Sequence, residues 1–134
     1  MLRKYDEKII NLRKKISHLL EDITTADELS LEAFKLSDAT KFKEAVARLE
    51  KIALQGDAID NEIIKTFALY GPEAKELRYL VAYLKMTNEI VRTGEGVKKY
   101  ALKMSEYTSN GCDIEQFKPS ILLLHKSENS HQVF

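Results

Sequence analysis

The chain has 134 residues, 44% of them hydrophobic and 31% charged, with five Gly, two Pro and no Trp. That is enough for one real core but not two, in a composition that favours an all-helical protein. Lys plus Arg and Asp plus Glu each total 21 and are interleaved throughout, so the net charge of zero argues against a nucleic-acid partner.

From Leu2 to Leu36 there is no Gly or Pro, and Ile9, Leu12, Ile16, Leu19, Ile23 and Ala26 step by three and four residues, the spacing of a helix seam. This first helix is expected to end near Leu36, where Ser37, Asp38 and Thr40 each offer an oxygen to cap the next. A second helix is predicted over 41–70, with Phe42, Val46, Leu49, Ala53, Ile63, Phe67 and Tyr70 on its apolar face. Gly71-Pro72 then reverses the chain, since Gly takes whatever angles the turn needs and Pro suits a first helical turn. The third helix is predicted to run from Pro72 to about Tyr107, with Leu77, Val81, Leu84, Val91 and Leu102 as its seam. Gly94 and Gly96 inside it each cost about 1 kcal/mol relative to Ala, which points to a close approach of a neighbour or to a local kink. Thr108-Ser109-Asn110-Gly111 is a cluster of turn formers. A short further helix starting at Pro119 carries Ile121, Leu122, Leu123 and Leu124, an adhesive run that predicts a homodimer or a tail folded back on its own bundle. No run of about 18 apolar residues is present and the N-terminus lacks the apolar block of a signal peptide. The single Cys112 cannot make an internal disulfide. A cytoplasmic protein without membrane insertion is expected.

The segment Gly71-Pro72-Glu73-Ala74-Lys75-Glu76-Leu77-Arg78, followed by Leu84-Lys85 and by Glu89-Ile90-Val91-Arg92-Thr93-Gly94-Glu95, resembles the PhoU family. Asp57-Ala58-Ile59-Asp60 on the second predicted helix fits as well, and the resemblance covers roughly Leu2 to Tyr107. It implies an all-α, up-down three-helix bundle with spectrin-like packing over 1–110, followed by a tail, 111–134, that holds a short fourth helix and the start of a second repeat. It also implies a non-enzymatic regulator of phosphate uptake and phosphate-starvation signalling, with a phosphate-specific ABC transporter and a sensor histidine kinase as partners.

Members of the family commonly carry an acid, three residues, then a second acid on each helix of the hairpin. Carboxylates so spaced share a helix face, and two such pairs converge on a metal cluster. Here the third-helix positions are Val91 and Glu95. A hairpin symmetric about Pro72 sets Val91 level with Ala53 and Glu95 with Leu49; other registers pair Ala53 with Asp57 or Gly56 with Asp60. Each lacks an acid, so Glu50, Asp57, Asp60 and Glu95 make no convincing cage, and neither metal nor cofactor is expected. His18, His125 and His131 are scattered, Cys112 has no basic sequence neighbour, and no phosphate loop or nucleophile elbow occurs. Arg78 and Arg92, two heptads apart on one face, and Glu89 are the candidates for partner contact; salt bridges of the two arginines to acids of the first two helices are their plainer role. The runner-up function is a metal-binding carboxylate bundle or a structural helical module.

Overall fold

The computed structural model describes residues 3–71, 73–111 and 118–123. Its long elements are α1 (Lys4–Leu36), α2 (Ala39–Arg48), α3 (Ile52–Tyr70) and α4 (Ala74–Ser109). They form an up-down three-helix bundle in which α2 and α3, nearly end to end, make the middle arm.

The 33-residue α1 buries Ile9, Leu12, Ile16, Leu19, Ile23, Ala26, Ser30 and Ala33, a heptad stripe that extends the predicted seam to the helix end. It stops at Ser37, which takes the left-handed conformation at φ 52°. The Asp38 N–H donates to the Ala33 carbonyl at 2.9 Å and the Ser37 N–H to the Phe34 carbonyl at 3.3 Å, which satisfies carbonyls that the helix itself leaves open. Asp38, one of the three predicted caps, then starts α2 by accepting from the Thr40 N–H at 2.9 Å.

The single helix predicted over 41–70 is broken at Leu49-Glu50-Lys51, although no Gly or Pro stands there. In its place are short-range bonds from Leu49 N–H to Val46 O (3.0 Å), Glu50 N–H to Ala47 O (3.4 Å) and Ile52 N–H to Leu49 O (3.2 Å), the pattern of a 3₁₀ turn. Phe42, Ala45, Leu49, Ile52, Gly56, Ile59, Ile63 and Thr66 are all buried, an unbroken heptad stripe across the break. On a straight α-helix such a stripe drifts about 20° per heptad. Three residues wound at about 120° rather than 100° regain about 60°, so the tight turn keeps the middle arm aimed at the core. Phe67 and Ala53, assigned to the seam by spacing alone, are exposed.

Gly71 ends α3 at φ 47°, its N–H donating to the Phe67 carbonyl, as its sequence predicts. Pro72 lies outside the described residues; α4 begins at Ala74 behind Glu73, whose N–H donates to the Glu76 carboxylate at 3.4 Å. The seam of α4 also differs from expectation. Val81 and Leu102 are exposed and Leu77 and Leu84 only half-buried, whereas Leu80, Thr87, Gly94 and Ala101 are buried seven residues apart. Two of these seam residues carry no apolar side chain. Thr87 is acceptable there because its hydroxyl donates to the Tyr83 carbonyl at 2.7 Å, and Thr66 and Ser105 bond their own helices in the same way.

Gly94 is the close approach that its sequence position allowed: a Cβ there would lie 2.1 Å from Ile52 Cδ1 and 3.0 Å from Ile23 Cδ1. A Cβ on Gly56 would lie 2.4 Å from Val91 Cγ2, whereas Gly96 faces open space.

The tail's helical stretch, 118–123, is held at the α1 end of the bundle by Lys118, whose ammonium donates to Ser37 Oγ at 2.8 Å and to the Lys35 carbonyl at 3.1 Å. Ile121 and Leu122 pack on the bundle's own core and Leu123 is 67% exposed; Leu124 lies outside the described residues. The run of four free leucine-type residues is thereby corrected, because two of them are spent within the chain.

The two glycines of α4 separate packing from propensity. Gly94→Ala is expected to lower the melting temperature, since its methyl group overfills a fully packed seam at a cost of about 1–3 kcal/mol. Gly96→Ala is expected to raise it by a few degrees, the gain of about 1 kcal/mol for Ala in an exposed helix interior. Thermal melts of the two variants check both signs.

Candidate functional site

The contacts of Val91 with Gly56 and of Gly94 with Ile52 set the register of the α3–α4 hairpin. It is not symmetric about Pro72: Val91 lies level with Gly56, not with Ala53. Extending this register places Asp60 beside Thr87 and Glu95 beside Ile52. The two acids therefore stand eight residues apart along the bundle, about 12 Å. Where first acids of two facing pairs would meet, a valine methyl fills the notch of a glycine. The residues present do not fit a carboxylate-bound metal cluster, and among the described residues no three His, Cys, Asp or Glu side chains come together in a group able to hold a metal ion.

The four residual acids are accordingly dispersed. Glu50, Asp57 and Glu95 are exposed. Asp60 is half-buried, with its Oδ1 buried and without a hydrogen-bond partner. Its carboxyl is pushed above the usual carboxylate range by burial, then by the nearby charge of Asp57. Of the histidines, His18 is exposed beside Glu21 at 3.7 Å, and His125, His131 and Cys112 lie outside the described residues.

Arg78, Arg92 and Glu89 are exposed. No bridge links either arginine to acids of the other helices among the described residues: Arg92 reaches only Glu89 of its own helix, at 4.0 Å. Their face is broader than the two arginines suggested. With Leu80, Thr87, Gly94 and Ala101 turned inward, the position pointing furthest out repeats as Arg78, Lys85, Arg92 and Lys99, all exposed. The column spans 21 residues, about 32 Å. Lys85 and Lys99 were legible in the same heptad but need the true seam to be recognised as part of it. Four cations elsewhere are paired with acids: Arg48 with Asp22 at 3.3 Å, Lys41 with Glu32 at 2.8 Å, Lys15 with Glu62, and Arg3 with Asp6 at 3.1 Å.

A second surface lies at the Gly71 end. Ile63, Ile64 and Phe67 of α3 and Leu77, Val81 and Leu84 of α4 line an open cleft floored by Leu80. Every lining side chain is apolar. Ile64, Phe67 and Val81 are 57%, 47% and 41% exposed. Nearby, Arg13 of α1 donates to the Tyr83 hydroxyl of α4 at 2.7 Å, and Tyr5 meets Tyr70 edge to face at 6.0 Å, which ties α1 to the hairpin.

The chain is an all-α bundle whose surface features are helix faces and an open cleft, and no helix among the described residues is long and apolar enough to cross a membrane. The chain belongs to the PhoU family: the family's model, the PhoU domain, matches residues 16–104, the greater part of the chain. The PhoU domain marks a family of phosphate-homeostasis regulators. No curated protein and no solved structure matches the chain.

Tyr100 supplies a pH test of the core. Its ring meets Phe42 edge to face at 6.2 Å, its hydroxyl is buried without a hydrogen-bond partner, and its pKa is raised, first by burial and then by the charge of Asp27. A raised folded-state pKa favours the protonated, folded form below the unfolded value of about 10, and that stability is lost as pH rises through the folded value. Tyr100→Phe is expected to keep its stability over that alkaline range better than the unmodified chain does, and paired melts from neutral to alkaline pH measure the difference.

Proposed function

We propose that this chain is a cytoplasmic, non-enzymatic regulator of phosphate uptake and of phosphate-starvation signalling. It works through helix-face contacts with a phosphate-specific ABC transporter and a sensor histidine kinase. In this reading it acts as a homodimer, with 1–110 as the bundle and 111–134 as an appendage to it. Membership of the PhoU family supports the phosphate role. The observation that carries the mode of action is the column Arg78, Lys85, Arg92 and Lys99 on α4. These side chains are exposed, of one sign and spaced about 10.5 Å apart, and only Arg92 has an ion-pair partner among the described residues. A straight ridge of cations suits an acidic helix or acidic strip on a partner, which it steers at long range and holds in register. Each exposed pair contributes only about 0–1 kcal/mol, so the contact is reversible and weakens with salt, as a regulator's contact should.

Deleting the gene is expected to raise a phosphate-starvation reporter in high phosphate. Arg92→Glu combined with Lys99→Glu is expected to move the reporter toward the deletion level while the melting temperature stays within a few degrees, because exposed substitutions seldom change stability by more than about 0.5 kcal/mol. A repressed reporter in the double variant sinks the role of the column, and an unchanged reporter in the deletion sinks the regulatory reading itself.

In the same reading the chain holds no structural or sensing metal, because Val91 and Gly56 occupy the space between the two helices where a cluster would sit. Protein purified without chelator is expected to contain no stoichiometric iron, manganese or zinc. Elemental analysis checks this, and a stoichiometric metal would favour the carboxylate-bundle alternative.

A further inference from the structure

We propose that Gly96 is the notch on which a partner's acidic helix docks, lying nearly along α4 with its closest approach between Arg92 and Lys99. The inference rests on the reading of the α4 cations as a docking face and adds to it a contact point, a further cation and the shape of the occupant. Gly94 and Gly96 raise the same question, since each costs about 1 kcal/mol relative to Ala inside a helix. For Gly94 the answer lies within the chain, where Ile52 and Ile23 occupy the space a Cβ would need. For Gly96 it does not. The residue is exposed, and nothing stands within 4 Å of a Cβ built there. It also lies well inside α4, so it makes no turn. A missing side chain at such a place suits a neighbour that approaches the backbone from outside. The bundle itself uses this device once, where a Val91 methyl sits in the notch of Gly56.

The surroundings of the notch identify the occupant. With Gly94 turned inward, Gly96 two residues on is turned away from the core. On the same outward strip Arg92 stands one turn before it, Lys99 one turn after and Lys103 two turns after, all exposed. Lys99 and Lys103 have no ion pair among the described residues. The acid on the strip, Glu89, is 4.0 Å from Arg92, and Glu95 is turned toward α3. Three cations against one acid call for a negative partner surface. A second copy of the chain turned about a two-fold axis on this strip would set cation against cation, so the occupant is a different protein. Spacing then selects a helix. Lys85, Arg92 and Lys99 stand about 10.5 Å apart, the interval of acids placed every seven residues on one helix face. On a strand, side chains of one face recur at about 6.6 and 13 Å and miss it. Helices crossing at about 20° keep two such columns in register, with axes about 8–10 Å apart depending on the side chains at the contact. Arg and Lys along the strip hold a neighbour off, and Gly96 admits one apolar side chain of it between the charges.

Fluorescence anisotropy of a labelled helical peptide of about 20 residues, titrated with the full chain, tests the proposal. The peptide carries Glu every seventh residue on one face with a Leu between two of them, and its control has the same composition in scrambled order. The ordered peptide is expected to bind more tightly than the scrambled one and to be released by salt. Gly96→Leu is expected to weaken it by about tenfold or more, because the notch is filled, while melting no lower than the unmodified chain, since Leu is the better helix former. Lys99→Glu combined with Lys103→Glu is expected to weaken it as well. In cells, Gly96→Leu is expected to move the phosphate-starvation reporter toward the deletion level. An ordered peptide that fails to bind, or that binds no better than the scrambled one, overturns the acidic helix as occupant. Equal binding to Gly96→Leu and to the unmodified chain overturns the notch. Binding of phosphatidylserine vesicles in place of the peptide makes the strip a lipid-facing one and overturns the proposal. The peptide result does not depend on the phosphate role, so an unchanged reporter in the deletion sinks that role alone. A reporter that responds to the deletion but stays repressed in Gly96→Leu sinks the notch alone.

Discussion

The close approach of α3 and α4 is the constraint on which the other features depend. Val91 Cγ2 sits 2.4 Å from where a Cβ on Gly56 would be, and Ile52 Cδ1 2.1 Å from where one on Gly94 would be. Two residues without side chains thus receive two branched ones, and a single register results. That register separates Asp60 from Glu95 by about two helical turns, directs the Arg78 to Lys99 column outward, and opens the apolar cleft toward the Gly71 end. Change the register and all three would move together.

The middle arm meets the same requirement by a different device. It must present one apolar stripe over 25 residues, from Phe42 to Thr66, to two long helices that run past it. A straight helix with a strict heptad loses aim with length, and supercoiling is the usual remedy. Here a single overwound turn at Leu49 to Lys51 makes the correction locally, and both residues that flank it inward, Leu49 and Ile52, are almost fully buried. The break is therefore part of the core and not a defect in it.

Much of this was legible in the sequence where burial and hydrophobicity coincide. The stripe of α1, its end at Leu36, the Gly71 reversal and the helical class all follow from apolar spacing and turn chemistry. The seam of α4 was missed because Thr87, Gly94 and Ala101 carry the contact with little or no apolar surface, while Val81 and Leu102, apolar and regularly spaced, point outward. The break at Leu49 was missed because its cause is a mismatch between two periods, not a breaker residue. The arginines of the outward column were visible, but Lys85 and Lys99 belong with them only once the inward heptad is known. Asp60's orphan oxygen depends on what surrounds it, and no spacing rule reports that.

Thr66, Thr87 and Ser105 are each satisfied by a carbonyl of their own helix, so these hydroxyls ask nothing of a neighbour and do not lock one helix against another. In many bundles a buried polar pair across helices fixes the alignment; here steric volume does so. If α4 slid by one heptad along α3, Val91 would meet Ile63 or Leu49 in place of Gly56, and Ile52 would meet Thr87 or Ala101 in place of Gly94. Both shifts drive side chains into occupied space. The alternatives are disfavoured by repulsion within misaligned states more than by attraction within the native one, and a bundle with heptads this regular would otherwise have had several alignments of similar energy open to it.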